Sequence, residues 1–250
     1  MIKNLVVSGC SFTAAAQNKS WANYLHNSFQ FDNFRNLAFP GAGNFYISDS
    51  VIQCLTNENY PPSETLVLVM WSGPSRMDTL VSDLLFNSLK GGESKTTLYN
   101  NHYVFSGGEL GLWRDETFPD FNTLNSLYYG LYKSSNEHTY AHMSLSNMLR
   151  LKHFLEFNGY QYKFMSYVNY WNDSDEYAGE VDKSVVHYSY NKVLLDAVLD
   201  SPWIWVNENK DCLFEYSRNS LNEDGFHPSS AAHAQFAEEI VVPNIKEFLK

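Results

Sequence analysis

The chain has 250 residues, 44% of them hydrophobic and 18% charged, which is enough for one domain with a sizeable core. Its 17 Lys and Arg against 28 Asp and Glu give a formal net charge of −11, which argues against nucleic acid and against anionic membrane surfaces as partners. No apolar run approaches the roughly 18 residues of a membrane span. Met1 is not followed by a secretory signal pattern, and three cysteines at irregular spacing suggest neither a disulfide framework nor a zinc site, so the chain reads as soluble and cytoplasmic at synthesis.

Ile2 to Ser8 is a short apolar run closed by Gly9, the pattern of a buried parallel strand. Residues 19–29 place Trp21, Tyr24, Leu25 and Ser28 at helical spacing, and Phe34 to Phe39 is a second strand closed by Pro40-Gly41-Ala42-Gly43. A helix from Phe45 to about Asn59 stops before Pro61-Pro62, and Thr65 to Trp71 is the most strand-like run in the chain. A helix is predicted at 76–89, then an insertion at 91–121 with a hairpin over Thr97 to Phe105, then helical pattern over 122–158. Gln161 to Val168 and Trp203 to Val206 read as a fourth and fifth strand around a helix at 182–199. A last helix begins near Ser229 and is interrupted at Pro243. The alternation predicts a single α/β domain, a three-layer α/β/α sandwich on a mostly parallel sheet of about five strands, flavodoxin-like in class.

In open sheets of this kind ligands collect at the carboxyl ends of the strands. Ser11 stands there, one turn past the first strand. A serine hydroxyl is a weak nucleophile without a positioned base. Asp224-Gly225-Phe226-His227-Pro228 supplies one: the carboxylate can hold one imidazole nitrogen while the other faces the serine. Cys10 is the alternative nucleophile, but adjacent side chains diverge on a strand-to-helix turn, so Cys10 and Ser11 cannot both face His227. His138 and His142 stand one helical turn apart with no nearby third ligand, so no metal is predicted. The chain is 16% aromatic, and Tyr170, Trp171 and Trp113 are candidates for a sugar platform, with core packing as the other reading.

Over nearly its full length the chain resembles the SGNH hydrolases, also called GDSL-type esterases and lipases. Gly9-Cys10-Ser11 matches the first family block with Cys10 in place of Asp, Asn36 to Gly41 matches the Asn-x-x-x-x-Gly block, and Asp224, His227 and Pro228 match the last block in full. The resemblance implies Ser11 as nucleophile, His227 as base, Asp224 as its orienting partner, and the Ser11 and Gly41 amides as oxyanion donors. No cofactor is implied. The third block departs from the pattern: Trp71-Ser72-Gly73-Pro74-Ser75-Arg76 puts Ser75 where the family carries an Asn whose side chain completes the oxyanion hole. Ser75, Arg76 and Asn44 are the candidate substitutes, with helix capping as the other reading of Asn44 and a salt bridge as the other reading of Arg76. Trp71 and Arg76 are candidate substrate contacts.

The implied activity is hydrolysis of carboxylic esters, acetyl esters of carbohydrate being the expected substrates. The alternative is an SGNH-fold module of weak or lost catalysis that binds glycan or builds a particle. The first and third blocks are similar to those of SGNH-like proteins in bacteriophage genomes, which would place such a module on a virion.

Overall fold

The computed structural model describes residues 1–14, 19–74, 76, 78–81, 102–105, 126, 130, 135–168, 170, 189–209 and 211–249. Its centre is a four-stranded parallel sheet, β1 (Asn4–Ser8), β2 (Asn33–Asn36), β3 (Thr65–Trp71) and β6 (Gln161–Ser166), in the order β2-β1-β3-β6. All residues of β1 and β3 are buried, as expected of inner strands covered on both faces. The fifth strand expected at Trp203 to Val206 is reduced to one parallel bridge, Phe164 to Trp203, beyond β6. Phe164 N–H donates to Pro202 O, and Ile204 N–H donates to Phe164 O.

Helices cover both faces. On one, α3 (Asn44–Glu58) packs on β1 and on α4 (Glu137–Asn158), which packs on α5 (Ser189–Leu199). Leu145, Met148, Leu151 and Leu155 form the buried stripe of α4. On the other face, α2 (Trp21–Phe29) meets the C-terminal helical segment. Trp21 and Leu25 are buried, and the Ser20 hydroxyl caps the helix by accepting from Asn23 N–H. The short helices α1 (Ser11–Ala14) and α6 (Leu213–Ser217) sit in loops. Among the described residues no helix is long and apolar enough to cross a membrane.

The C-terminal segment starts with α7 (Ser230–Gln235), widens into a π-helical turn over Phe236–Val241 and continues as α8 (Val242–Ile245). Pro243 therefore does not interrupt the rod. It stands at the start of α8, where its missing N–H costs least, and the wide turn before it takes up the change of register.

The stretch after β3 differs from expectation. Residues 78–81 form β4 (Asp78–Val81), not helix, antiparallel to β5 (His102–Phe105). The pairing runs from Asp78 opposite Phe105 to Val81 opposite His102; of the hairpin expected within Thr97 to Phe105, residues 97–101 lie outside the described residues. Residues 82–89 and the rest of the 91–121 insertion lie outside the described residues.

Two polar clasps fix the strand ends to α3. Asp78 is buried and its two carboxylate oxygens accept from Gly43 N–H and Tyr46 N–H, each at 2.8 Å, closing the N-terminus of α3. Burial pushes the Asp78 pKa up to about 7, against the pull of those two amides and of Arg76. Asn44, only 1% exposed, donates through Nδ2 to Ser72 O at 3.1 Å and accepts at Oδ1 from Ser72 N–H at 2.8 Å. Removing the carboxamide leaves both Ser72 backbone groups unpaired in the interior. Asn44→Ala is expected to cost about 2–4 kcal/mol, read as a lower urea midpoint at unchanged slope; an unchanged midpoint would show that the clasp carries no stability.

Candidate active site

Three local devices bring Ser11 into the open. The backbone at Gly9 approaches α1 so closely that a Cβ there would collide with the Thr13 side chain and lie 3.1 Å from Met70 O. Only glycine permits so tight a turn off β1. Past β2 the chain stays bonded to the first strand and its turn: Leu37 N–H donates to Val7 O at 2.8 Å and Phe39 N–H to Gly9 O at 3.1 Å. Asn36 of the second block secures the corner, donating through Nδ2 to Thr13 O and accepting at Oδ1 from Ala38 N–H. The Pro40-Gly41 turn is thereby tied to the Ser11 turn, and Gly41 adopts φ +82°, a left-handed conformation that favours glycine.

Asp224 and His227 come from one self-bonded loop. His227 O accepts from Asn222 N–H at 2.7 Å, Gly225 turns the chain at φ +70°, and a bridge pairs Leu221 with Pro228. Asp224 Oδ1 accepts from Phe226 N–H at 2.9 Å and from His227 N–H at 2.8 Å, while Oδ2 lies 2.7 Å from His227 Nδ1. The remaining ring nitrogen, Nε2, lies 2.8 Å from Ser11 Oγ. An imidazole so placed has one tautomer favoured, with hydrogen on Nδ1 toward the carboxylate and a lone pair on Nε2 toward the hydroxyl. The ring rests against Phe12 at a centroid distance of 5.1 Å and Phe226 at 5.3 Å. Phe12, fully buried next to Ser11, is a support that sequence reasoning missed; its place directly after the nucleophile was the available signal.

A cavity of about 580 Å³ opens on this group. Besides Ser11, Asp224 and His227 its walls include Pro40, Lys19, Ser230 and His233. His233 was also missed, although it follows His227 by six residues on the helix that the sequence placed beside the site.

The other candidates go elsewhere. Trp71 is fully buried, edge-on to Phe164 at 5.1 Å, so its ring belongs to the core and offers no surface to a substrate. The Asn44 carboxamide is engaged by Ser72, and Gly43 takes the cap position of α3, so Asn44 is neither a helix cap nor turned to Ser11. Arg76 lies over the Tyr167 ring, 5.5 Å from its centroid, with Nη1 buried and unpartnered among the described residues. Among those residues neither Trp71 nor Arg76 lines the cavity. Cys10 is fully buried, and it is Ser11 whose side chain meets His227. Tyr170 is buried with its hydroxyl 3.0 Å from that of Tyr167, in the interior and not on a platform. Ser75, Trp113 and Trp171 lie outside the described residues.

The backbone amides of Phe226 and His227, and then the His227 ring, hold the Asp224 carboxyl down at about 2, from an ordinary 3.8. A carboxylate with a depressed folded pKa contributes stability that is complete above its unfolded value and is lost as pH falls through about 2. Since the amides are the larger cause, Asp224 in His227→Gln is expected to titrate still below the ordinary range, followed by carboxyl-carbon NMR; a midpoint near 3.8 would show that the imidazole dominates.

No family model and no curated protein matches the chain. Several solved structures do. TesA is 14% identical, with 98% of this chain and 99% of that chain covered at a TM-score of 0.52. The psychrotrophic esterase EstA from Pseudoalteromonas sp., in a structure inhibited by monoethylphosphonate, is 13% identical, with 99% and 98% covered at 0.50. LAE5, an alpha/beta hydrolase enzyme from the metagenome of Lake Arreo, Spain, is 12% identical, with 99% and 96% covered at 0.50. Identities this low speak to architecture alone: the fold that carries Ser11 and His227 is one that this chain shares with these three structures.

Proposed function

We propose that the protein is a serine ester hydrolase. The observation that carries this reading is the unbroken chain of contacts from Asp224 Oδ2 to His227 Nδ1 and from His227 Nε2 to Ser11 Oγ, at 2.7 and 2.8 Å. In this reading Ser11 Oγ attacks the ester carbonyl as His227 Nε2 takes its proton, and Asp224 stabilises the imidazolium. The Ser11 and Gly41 amides receive the negative charge on the carbonyl oxygen. His227 then protonates the departing alcohol, and water repeats the sequence on the acyl-serine. Acetyl esters of carbohydrate are the substrates we favour. An esterase of the same fold is described as inhibited by monoethylphosphonate, a class of reagent that fits an activated serine.

One observation favours a second reading. Of the candidate substitutes for the family's third-block Asn, Asn44 is clasped to Ser72, Arg76 does not line the cavity among the described residues, and Ser75 lies outside those residues. Loss of such a donor typically costs about 3–4 kcal/mol of transition-state stabilisation. A glycan-binding or structural module, such as one in a phage particle, is the corresponding proposal, and it requires no activated serine.

The two are separated by treating the protein with a fluorophosphonate and mapping the adduct. An adduct on Ser11, with hydrolysis of short-chain nitrophenyl esters falling roughly 10⁴-fold or more in Ser11→Ala, supports the hydrolase. An adduct elsewhere, or turnover that survives Ser11→Ala, overturns it.

A further inference from the structure

His233 sits in the wall of the cavity beside the serine but has no part in the proton path. It is only 3% exposed, and its Nδ1 is sealed from solvent with no hydrogen-bond partner among the described residues. Buried polar groups are nearly always satisfied, and a leucine or phenylalanine would fill the same space without that cost. With Nδ1 closed in, the ring meets the cavity by its other edge, where its remaining hydrogen-bonding capacity faces whatever the cavity holds.

Its neighbours define what that is. Ser230 lies three residues earlier on α7, on the same helix face, and its hydroxyl is 2.7 Å from the Tyr24 hydroxyl of α2. Lys19, just before the Ser20 cap of α2, lines the cavity across from them. Burial, aided by the nearby His227, pushes the His233 pKa down to about 4, so at neutral pH the ring is uncharged and its open nitrogen offers a single donor or acceptor, set by the tautomer. A hydroxyl, which is itself both, can pair with that nitrogen in either tautomer, and an alkyl chain can pair with it in neither.

Position selects which part of the ester it meets. In the proposed mechanism the carbonyl oxygen turns to the Ser11 and Gly41 amides, while the departing oxygen must lie at His227 Nε2 to receive its proton. The wall that continues from His227 through Ser230 to His233 therefore faces the alcohol half.

We infer that His233, with Ser230, forms a leaving-group subsite that binds a further hydroxyl on the alcohol half, selecting esters of polyols or sugars over esters of simple alkanols. This rests on the hydrolase reading above and names its substrate class.

The test compares glycerol monoacetate with ethyl acetate, which share an acyl group and differ in free hydroxyls. The readout is the ratio of kcat/KM for the two esters, which a general loss of fold or of catalysis does not move. The ratio is expected to fall about tenfold in His233→Leu, the worth of one hydrogen bond, and to recover in His233→Gln, which keeps a donor and an acceptor. An unaltered ratio in His233→Leu overturns the inference. If the wild-type chain hydrolyses neither ester, glycerol titrated against the Ser11→Ala chain judges the subsite alone, while the fluorophosphonate adduct judges the hydrolase reading. Shifts of the His233 ring signals in NMR on adding glycerol support the subsite, and their absence overturns it.

Discussion

The contact between Ser11 Oγ and His227 Nε2 joins residues 216 positions apart, and most of the local structure near it exists to keep it at 2.8 Å. The serine side is fixed by the sheet: a glycine turn off a fully buried strand, and a second loop bonded back along the same strand to Gly9. The histidine side is fixed by its own loop, and that loop is held against the serine by α7 and the π turn packing on α2. Neither half depends on the other for its shape. The packing of the C-terminal segment on α2, with the aromatic contacts of Phe12, Phe214 and Phe226, brings them together.

Two carboxylates show how environment sets chemistry in this molecule. Asp78 and Asp224 each accept two backbone amides. Asp78 is enclosed, and burial outweighs the amides, so its pKa rises to about 7. Asp224 is half exposed, the amides outweigh the smaller effect of desolvation, and it falls to about 2. The second therefore stays ionised beside His227 at neutral pH, which is what an orienting carboxylate requires.

The inner strands were legible because strands covered on both faces show uninterrupted apolar runs; Thr65–Trp71 coincides with its expectation residue for residue. The serine turn and the Asp-His loop were legible because turn chemistry leaves glycine, proline and short polar residues at fixed spacing. Residues 78–81 misled because Leu80 and Val81, read with Leu84 and Leu85, also suit helical spacing, and what decides them is pairing with His102–Phe105, a partner far along the chain. Trp203 to Val206 has strand composition but makes a single bridge at an edge. Trp71 and Asn44 were drawn to the site by their place in the motif order. Which way a side chain points at a strand end is set by packing, and packing placed one against Phe164 and the other against Ser72. His233 was passed over because a lone histidine on a helix carries no pattern until a cavity is seen beside it.

For the proposed hydrolase, the placement of His227 so late in the chain has a consequence for biosynthesis. A ribosome builds the polypeptide from its amino end, so the nucleophile emerges early, and the strands that shape its turn are complete by residue 71. Until residue 227 has left the exit tunnel and its helix has settled against α2, the nascent serine has no proton acceptor and remains as inert as any surface hydroxyl. Chemical competence would thus arrive as one of the last events of maturation, shielding ester-bearing molecules in the producing cell from half-made copies.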